Sequence, residues 1–179
     1  MILFITGTPG TGKTTVSQKL KEELSFALVD INRLVEDEKL YTGIDEEKGY
    51  KIVNIPALCS KLNDITSNMG HGEDLLVEGH LSHFCDGADR VIVLRAHPNI
   101  LENRLQDKGF KPAKIAENAE AEALDICAFE AFQKYGDQAS EVDTTGKNPQ
   151  EVVDIIRMII DGEEAFPVGS VDFSEYLGS

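Results

Sequence analysis

The apolar positions of this chain follow two rhythms that alternate along its length. Residues 1–5 are wholly apolar and include Ile and Phe, which predicts a buried strand. Residues 16–24 place apolar side chains at Val16, Leu20 and Leu24, a four-residue step that marks one helix face. A second short strand is expected over 26–31, parallel to the first because the 16–24 helix makes the crossover. Asp30 or Asn32 caps a helix running to about Lys39. Residues 41–50 are polar, contain two glycines and read as a mobile segment. Helical spacing returns from Ile55 to Met69 and stops at Gly70 and Gly72.

Further strands are expected over 75–77, 90–95 and 139–142. Pro98 starts a helix that ends near Gly109, residues 115–135 read as one long helix, and 149–160 as the last core helix. Strand and helix in alternation predict an α/β fold, a parallel sheet flanked by helices in three layers. Residues 162–179 lack Lys and Arg but hold Phe166, Val168, Val171, Phe173, Tyr176 and Leu177. That mixture predicts an acidic-apolar strap packed on the domain or on a partner, not a disordered tail.

Chemistry enters between the first strand and the first helix. Gly7-Thr8-Pro9-Gly10-Thr11-Gly12-Lys13-Thr14 satisfies G-x-x-x-x-G-K-[ST], the phosphate-binding P-loop, in the strand–helix context the motif requires. A loop wrapping a phosphate must turn several backbone N–H groups inward, through φ values that a Cβ disfavours. The helix N-terminus adds unpaired N–H groups and the positive end of its dipole. Lys13 is expected to reach the β- and γ-phosphates, and the Thr14 hydroxyl to ligate Mg²⁺. The motif points to nucleoside triphosphates and leaves the reaction open.

Composition narrows the class. At 179 residues, 41% hydrophobic and 27% charged, the chain suits one ordinary globular domain. No apolar run approaches the ~20 residues of a membrane span. The first strand begins at residue 2, so a cleavable leader would destroy the P-loop, and a cytoplasmic location is expected. Cys59, Cys85 and Cys127 are odd in number and widely spaced, and are expected as reduced thiols. A net charge of −15 disfavours direct DNA binding, obliges the nucleotide cleft to gather its own cations and would steer in a basic protein.

Ligands of open parallel sheets sit beyond the carboxyl ends of the strands, where Asp30, Glu78, His80 and Arg95 join the P-loop. Glu78 stands where P-loop enzymes place their second Mg²⁺-orienting acid. His80 is near enough to position water or a phosphoryl acceptor, whereas His83 reads as a hydrogen-bonded packing residue. Arg104, Lys108, Lys111 and Lys114 concentrate positive charge in an acidic chain and suggest a phosphate-covering lid. Residues 30–53 would then hold the acceptor from the other side, and closure would expel water.

Beyond the P-loop, L-Y-T-G-I-D-E-E, V-E-G-H-L-S-H, V-I-V-L-R, R-L-x-x-K-G-F and V-D-T-T-G-K-N-P follow in order. In this the chain resembles the atypical adenylate kinases of the CINAP type, archaeal branch, over about residues 1–160. The closing V-D-F-S-E-Y is similar to the tail of archaeal members. The resemblance implies an adenylate-kinase-like P-loop fold, Mg·ATP as donor and AMP as acceptor. It further implies a slow ATPase activity and a part in small ribosomal subunit maturation and rRNA processing through a basic small-subunit ribosomal protein.

By position, Gly10, Gly12, Lys13, Thr14 and Thr15 match the family's ATP site, and Lys147 the turn bordering adenine. Residues 30–53 match the monophosphate-binding segment and 107–117 the lid, within a kinase domain of residues 1–161. Glu78 and His80 fall on an acid-x-His element tied to metal and catalysis. Lys108 stands where the family has Arg and loses the bidentate fork, which shifts transition-state contacts toward Arg104. Arg33 is the one arginine within 30–53 and, with Asp30, the candidate acceptor ligand. The reading is ATP + AMP ⇌ 2 ADP. Its rivals are a nucleotide-switched ribosome-assembly ATPase and a P-loop kinase for another small acceptor.

Overall fold

In the computed structural model, which describes residues 1–46, 50–70 and 72–178, five parallel strands form one sheet. They are β1 (Ile2–Thr6), β2 (Ala27–Asp30), β5 (Leu75–Glu78), β6 (Arg90–Arg95) and β7 (Ala139–Asp143), in the order β2-β5-β1-β6-β7. A two-stranded hairpin, β3 (Tyr41–Ile44) with β4 (Lys51–Val53), stands apart from it. The helices are α1 (Lys13–Leu24), α2 (Ile31–Asp37), α3 (Ile55–Ser67), α4 (Pro98–Asp107), α5 (Pro112–Ala123), α6 (Ile126–Tyr135) and α7 (Pro149–Asp161).

The apolar run of β1 is explained by its central place. Leu3 and Ile5 face a cluster with Val16 and Leu20 of α1 and Val152 and Ile156 of α7. Phe4, between them, points the other way, into a cluster with Leu58 and Leu62 of α3 and Ala128 and Ala131 of α6. A strand covered on both faces needs no polar alternation. Chain order places the switch in winding direction at β1, between β5 and β6, and the crevice beyond its carboxyl end is the general ligand position of such sheets. α7 has a full capping box, Asn148 with Glu151, with Pro149 behind the cap and Gly162 at φ 72° ending the helix.

The structure departs from the sequence reading at three places. Residues 41–50, read as mobile, supply β3 and lead into β4, in register Tyr41↔Val53 and Ile44↔Lys51. Residues 47–49 lie outside the described residues. The single helix expected over 115–135 is two, because Asp125 takes a left-handed φ of 56°. Buried Arg95 dictates that break: its Nη2 donates to the Glu122 carbonyl at 3.0 Å and to the Asp125 carboxylate. Finally, Cys59 of α3 and Cys85 form a disulfide with a Cα–Cα distance of 4.8 Å, and Cys127 alone is a free, buried thiol. The expectation of three reduced thiols rested on wide spacing. It failed because α3 packs back over the loop after β5, which sequence separation does not reveal.

The described part of the C-terminal strap lies on the domain itself. Glu141 N–H donates to the Phe166 carbonyl at 2.9 Å beside a bridge between Ser140 and Pro167, and Phe173 is 7% exposed.

The disulfide closes a loop with a sequence separation of 26 residues. Its reduction is expected to lower the thermal midpoint by about 5–10 °C. Melting curves with and without reductant, set beside a Cys59→Ser variant that reductant should leave unmoved, check this. An unchanged midpoint would dismiss the cross-link.

Candidate active site

The P-loop leaves β1 and closes on the start of α1. Gly12 is the N-cap residue at φ 99°, a left-handed backbone that a side chain would strain, and no side chain caps the helix. The first turn of α1 therefore keeps its donors for a ligand. Lys13 is nearly buried, and its ammonium donates to the carbonyls of Gly7 at 2.8 Å and Thr8 at 3.0 Å. Burial pushes its pKa down to about 8, against the pull of Cys127, Glu78 and Glu122. An arriving polyphosphate supplies the anionic partner that such an ammonium lacks.

Glu78 ends β5 beside β1, in register with Ile5 and Asp30. Its carboxylate accepts from the Thr14 hydroxyl at 3.1 Å. Burial and then nearby Asp30 raise its pKa, so a cation at this place would be welcome. Among the described residues no group of three or more His, Cys, Asp or Glu side chains could hold a metal alone. A hydroxyl paired with one carboxylate is, however, the sparse donor set used by an Mg²⁺ that also binds phosphates. Gly79 has φ 153°, and a Cβ there would stand 2.7 Å from Cβ of Ile31 on α2. Glycine is thus what lets α2 pack against the Glu78–His80 turn.

His80 follows. Its pKa is driven down to about 4 by burial, reinforced by Lys13 and Lys114, so the imidazole is neutral at pH 7. His83 is 1% exposed and bonded to Thr6 at 2.7 Å and Glu130 at 3.2 Å, the packing role its position suggested.

Two clefts meet over the P-loop. The first, about 450 Å³, runs past Gly10, Gly12 and Thr15 between Arg104, Lys108 and Lys147. The second, about 1060 Å³, contains Lys13, Thr14, Glu78 and His80 and extends to Tyr50 and Lys51 of the hairpin side and to Lys114 of α5. Gly10, Gly12, Thr15 and Lys108 line both. Arg104 Nη1 donates to the Gly10 carbonyl at 3.0 Å, so α4 braces the loop directly.

Three residues singled out from sequence have their side chains engaged by other protein groups. Arg33 lies on the outer side of α2 with its side chain 81% exposed and 3.4 Å from Asp37, and it lines neither cleft. Asp30 lies beside Glu78 and spends its carboxylate on capping α2, accepting from Arg33 N–H at 3.2 Å. Arg95, at the carboxyl end of β6, is 1% exposed and paired with Glu122, Glu141 and Asp125. Besides Lys13 and Lys108, the second cleft is reached by Lys51 and Lys114, the former paired with Glu36, the latter 4.4 Å over the Tyr50 ring. The basic run around Gly109 signalled Lys114; nothing in the sequence distinguished Lys51.

A profile of the AAA domain family matches residues 3–125. The chain belongs to that P-loop family. It is 44% identical to a Methanothermobacter thermautotrophicus protein described as "putative adenylate kinase", over 98% of this chain and 99% of that one. A Natronomonas pharaonis protein of the same description is 43% identical over 99% and 100%. Among solved structures, thymidylate kinase from Candida albicans aligns with a TM-score of 0.59 at 15% identity, over 90% and 91%. Shikimate kinase from Bacteroides thetaiotaomicron gives 0.60 at 16%, over 90% and 98%. These last two show the shared fold, a P-loop sheet flanked by helices. No described helix is long and apolar enough to cross a membrane.

Since the His80 pKa is near 4 when folded and 6.5 in its ordinary state, the unfolded chain binds more protons between those values. Stability from neutral His80 is therefore complete above pH 6.5 and lost as pH falls toward 4. Denaturant unfolding at pH 7.5 and 4.5 should show a smaller acid loss in His80→Gln than in the wild type. Equal losses would place the imidazole in water.

Proposed function

We propose that this protein is a nucleoside monophosphate kinase, ATP + AMP ⇌ 2 ADP. The observation that carries the reading is the meeting of two clefts over one P-loop, with Gly10, Gly12, Thr15 and Lys108 shared between them and Lys13, Glu78 and His80 in the second. The archaeal relatives' description supports it. ATP would lie in the first cleft with its base toward Lys147 and its phosphates along Gly10, Gly12, Lys13, Thr14 and Thr15. AMP would lie in the second, between an acceptor arm of residues 30–53 and a lid of 107–117.

In the transfer, an AMP phosphate oxygen attacks the γ-phosphorus in line and the bond to the β–γ bridging oxygen breaks, leaving ADP on both sides. Lys13, with Arg104 and Lys108, meets the charge that spreads over the moving phosphoryl group. Thr14 and Glu78 would hold Mg²⁺, which neutralises charge on the β- and γ-phosphates. Lys114 and Lys51 replace Arg33 as the better-placed cations for the acceptor phosphate. Neutral His80 can accept a proton and orient a water, which fits a slow ATPase activity when AMP is absent.

The −15 charge and the resemblance to CINAP-type proteins also favour a cytoplasmic part in small-subunit maturation through a basic ribosomal protein. Such binding would weaken with salt.

Adding AMP to Mg·ATP should turn slow ATP loss into rapid formation of two ADP per ATP. Lys13→Ala, still folded, should lose roughly a hundredfold or more in both hydrolysis and transfer. No response to AMP, with nucleotide-dependent binding of a basic ribosomal protein, would favour the switch over the kinase. In single turnovers, His80→Ala should lower hydrolysis more than AMP phosphorylation; equal losses would reduce it to supporting the loop.

A further inference from the structure

Two buried carboxylates, Glu122 and Glu141, share one buried cation, Arg95. Arg95, Glu122 and Glu141 are each 1% exposed. Arg95 Nε donates to Glu122 at 2.8 Å and Nη1 to Glu141 at 2.9 Å. The cluster is short of positive charge, so its remaining oxygens need donors if it is to stay buried. For Glu122 these are the Ala96 N–H at 3.0 Å and the hydroxyl of Thr8, a P-loop residue. For Glu141 they are the Val171 N–H at 2.6 Å and the Ser170 hydroxyl at 3.2 Å, both from the C-terminal segment. A continuous chain of charge-assisted hydrogen bonds thus joins that segment to the phosphate loop.

The segment touches the donor side a second time. Phe173 places its ring 5.4 Å from the Arg95 guanidinium carbon and edge-on to His97 at 5.3 Å. The Tyr176 hydroxyl donates to Glu102 on α4 at 2.8 Å, and α4 is the helix whose Arg104 holds the Gly10 carbonyl. Residues 170–176 therefore grip the phosphate loop through its Thr8 end and through its Gly10 side. Among the described residues, the acceptor arm, by contrast, contributes no link to this series of hydrogen bonds.

We propose that residues 170–176 are a positioning element for nucleoside triphosphate binding, acting on Thr8 and Gly10 through the Arg95–Glu122–Glu141 cluster and through α4. The proposal rests on reading the P-loop cleft as the donor site. Truncating Arg95 or Glu122 would strand buried charge and unfold the chain, so the test uses its two ends. Thr8→Val removes the hydroxyl without changing shape, Thr8→Ser keeps it, and Phe173→Ala loosens the segment.

Dissociation constants for Mg·ATP and for AMP, measured by calorimetry on folded protein, give the readout. Thr8→Val and Phe173→Ala are each expected to weaken Mg·ATP by about fivefold or more and to leave AMP within about twofold. Thr8→Ser should bind like the wild type. The double variant Thr8→Val/Phe173→Ala should lose less than the product of the single losses, because both break one chain. Should Phe173→Ala fail to fold, Tyr176→Phe removes the hydroxyl that donates to Glu102 and should give the same donor-selective loss. Equal weakening of both nucleotides, multiplying losses, or unchanged Mg·ATP affinity in the segment variant would overturn the proposal. A wild-type chain that binds Mg·ATP but transfers nothing to AMP would remove the kinase reading and leave these affinity ratios to decide this one.

Discussion

Because β1 is buried on both faces and hydrogen-bonded along both edges, the loop that leaves its carboxyl end has little freedom of direction. β5 on one side brings Glu78 level with Ile5, and β6 on the other brings Val93 level with Thr6. Groups that meet the P-loop are placed by those pairings, by the β6–β7 pairing next to them or by the helices packed over the sheet. Glu78, the last residue of β5 and level with Ile5, is placed to reach the Thr14 hydroxyl. Thr144, just beyond β7, ties the carbonyls of Thr11 and Arg95 together at 3.1 and 2.8 Å. The precision of the site comes from the sheet and not from the glycines, which only permit the loop to follow.

Against a net charge of −15, the clefts are locally cationic. Lys13, Arg104, Lys108, Lys114 and Lys147 converge there, while the acids that dominate the surface mostly solvate it. Focused positive charge in a low-dielectric crevice attracts a polyphosphate that the overall field would repel. The buried Arg95 cannot share that task. Burial opposes its charge, but Glu122 and Asp125 more than offset this and raise its pKa. It is therefore a permanent cation spent on architecture.

That contrast marks how far the sequence could be read. The P-loop, the all-apolar central strand, the acid at the end of β5 and the basic residues around Gly109 were legible because each is a local pattern: a spacing, a run or a charge cluster. Arg95, the Cys59–Cys85 bond and the division of α5 from α6 were not, because each is decided by a partner distant in sequence. A helical pattern continues through residues 124 and 125, and only the guanidinium waiting beneath them breaks it. The hairpin was missed for a related reason. β3 and β4 form a two-stranded sheet of their own, and Tyr41 and Val53 are only half-buried against the core, so the segment reads as polar.

The same geometry bears on closure. Lys114 of α5 already lies over the Tyr50 ring across the second cleft, and Lys51 is held by Glu36 and Tyr41 within its own arm. Neither cation is idle, so an acceptor phosphate must compete with partners the protein itself supplies. Cation–π and exposed ion-pair contacts are each worth about 1 kcal/mol or less at such sites. A doubly charged phosphate is the stronger partner for both, and taking both lysines at once would draw the arms toward each other over the bound group. A singly charged or neutral acceptor would gain less from the exchange and leave the cleft wetter. Selection for a phosphate acceptor over water can thus arise from the cost of releasing two weakly held lysines, which only a ligand of sufficient charge repays.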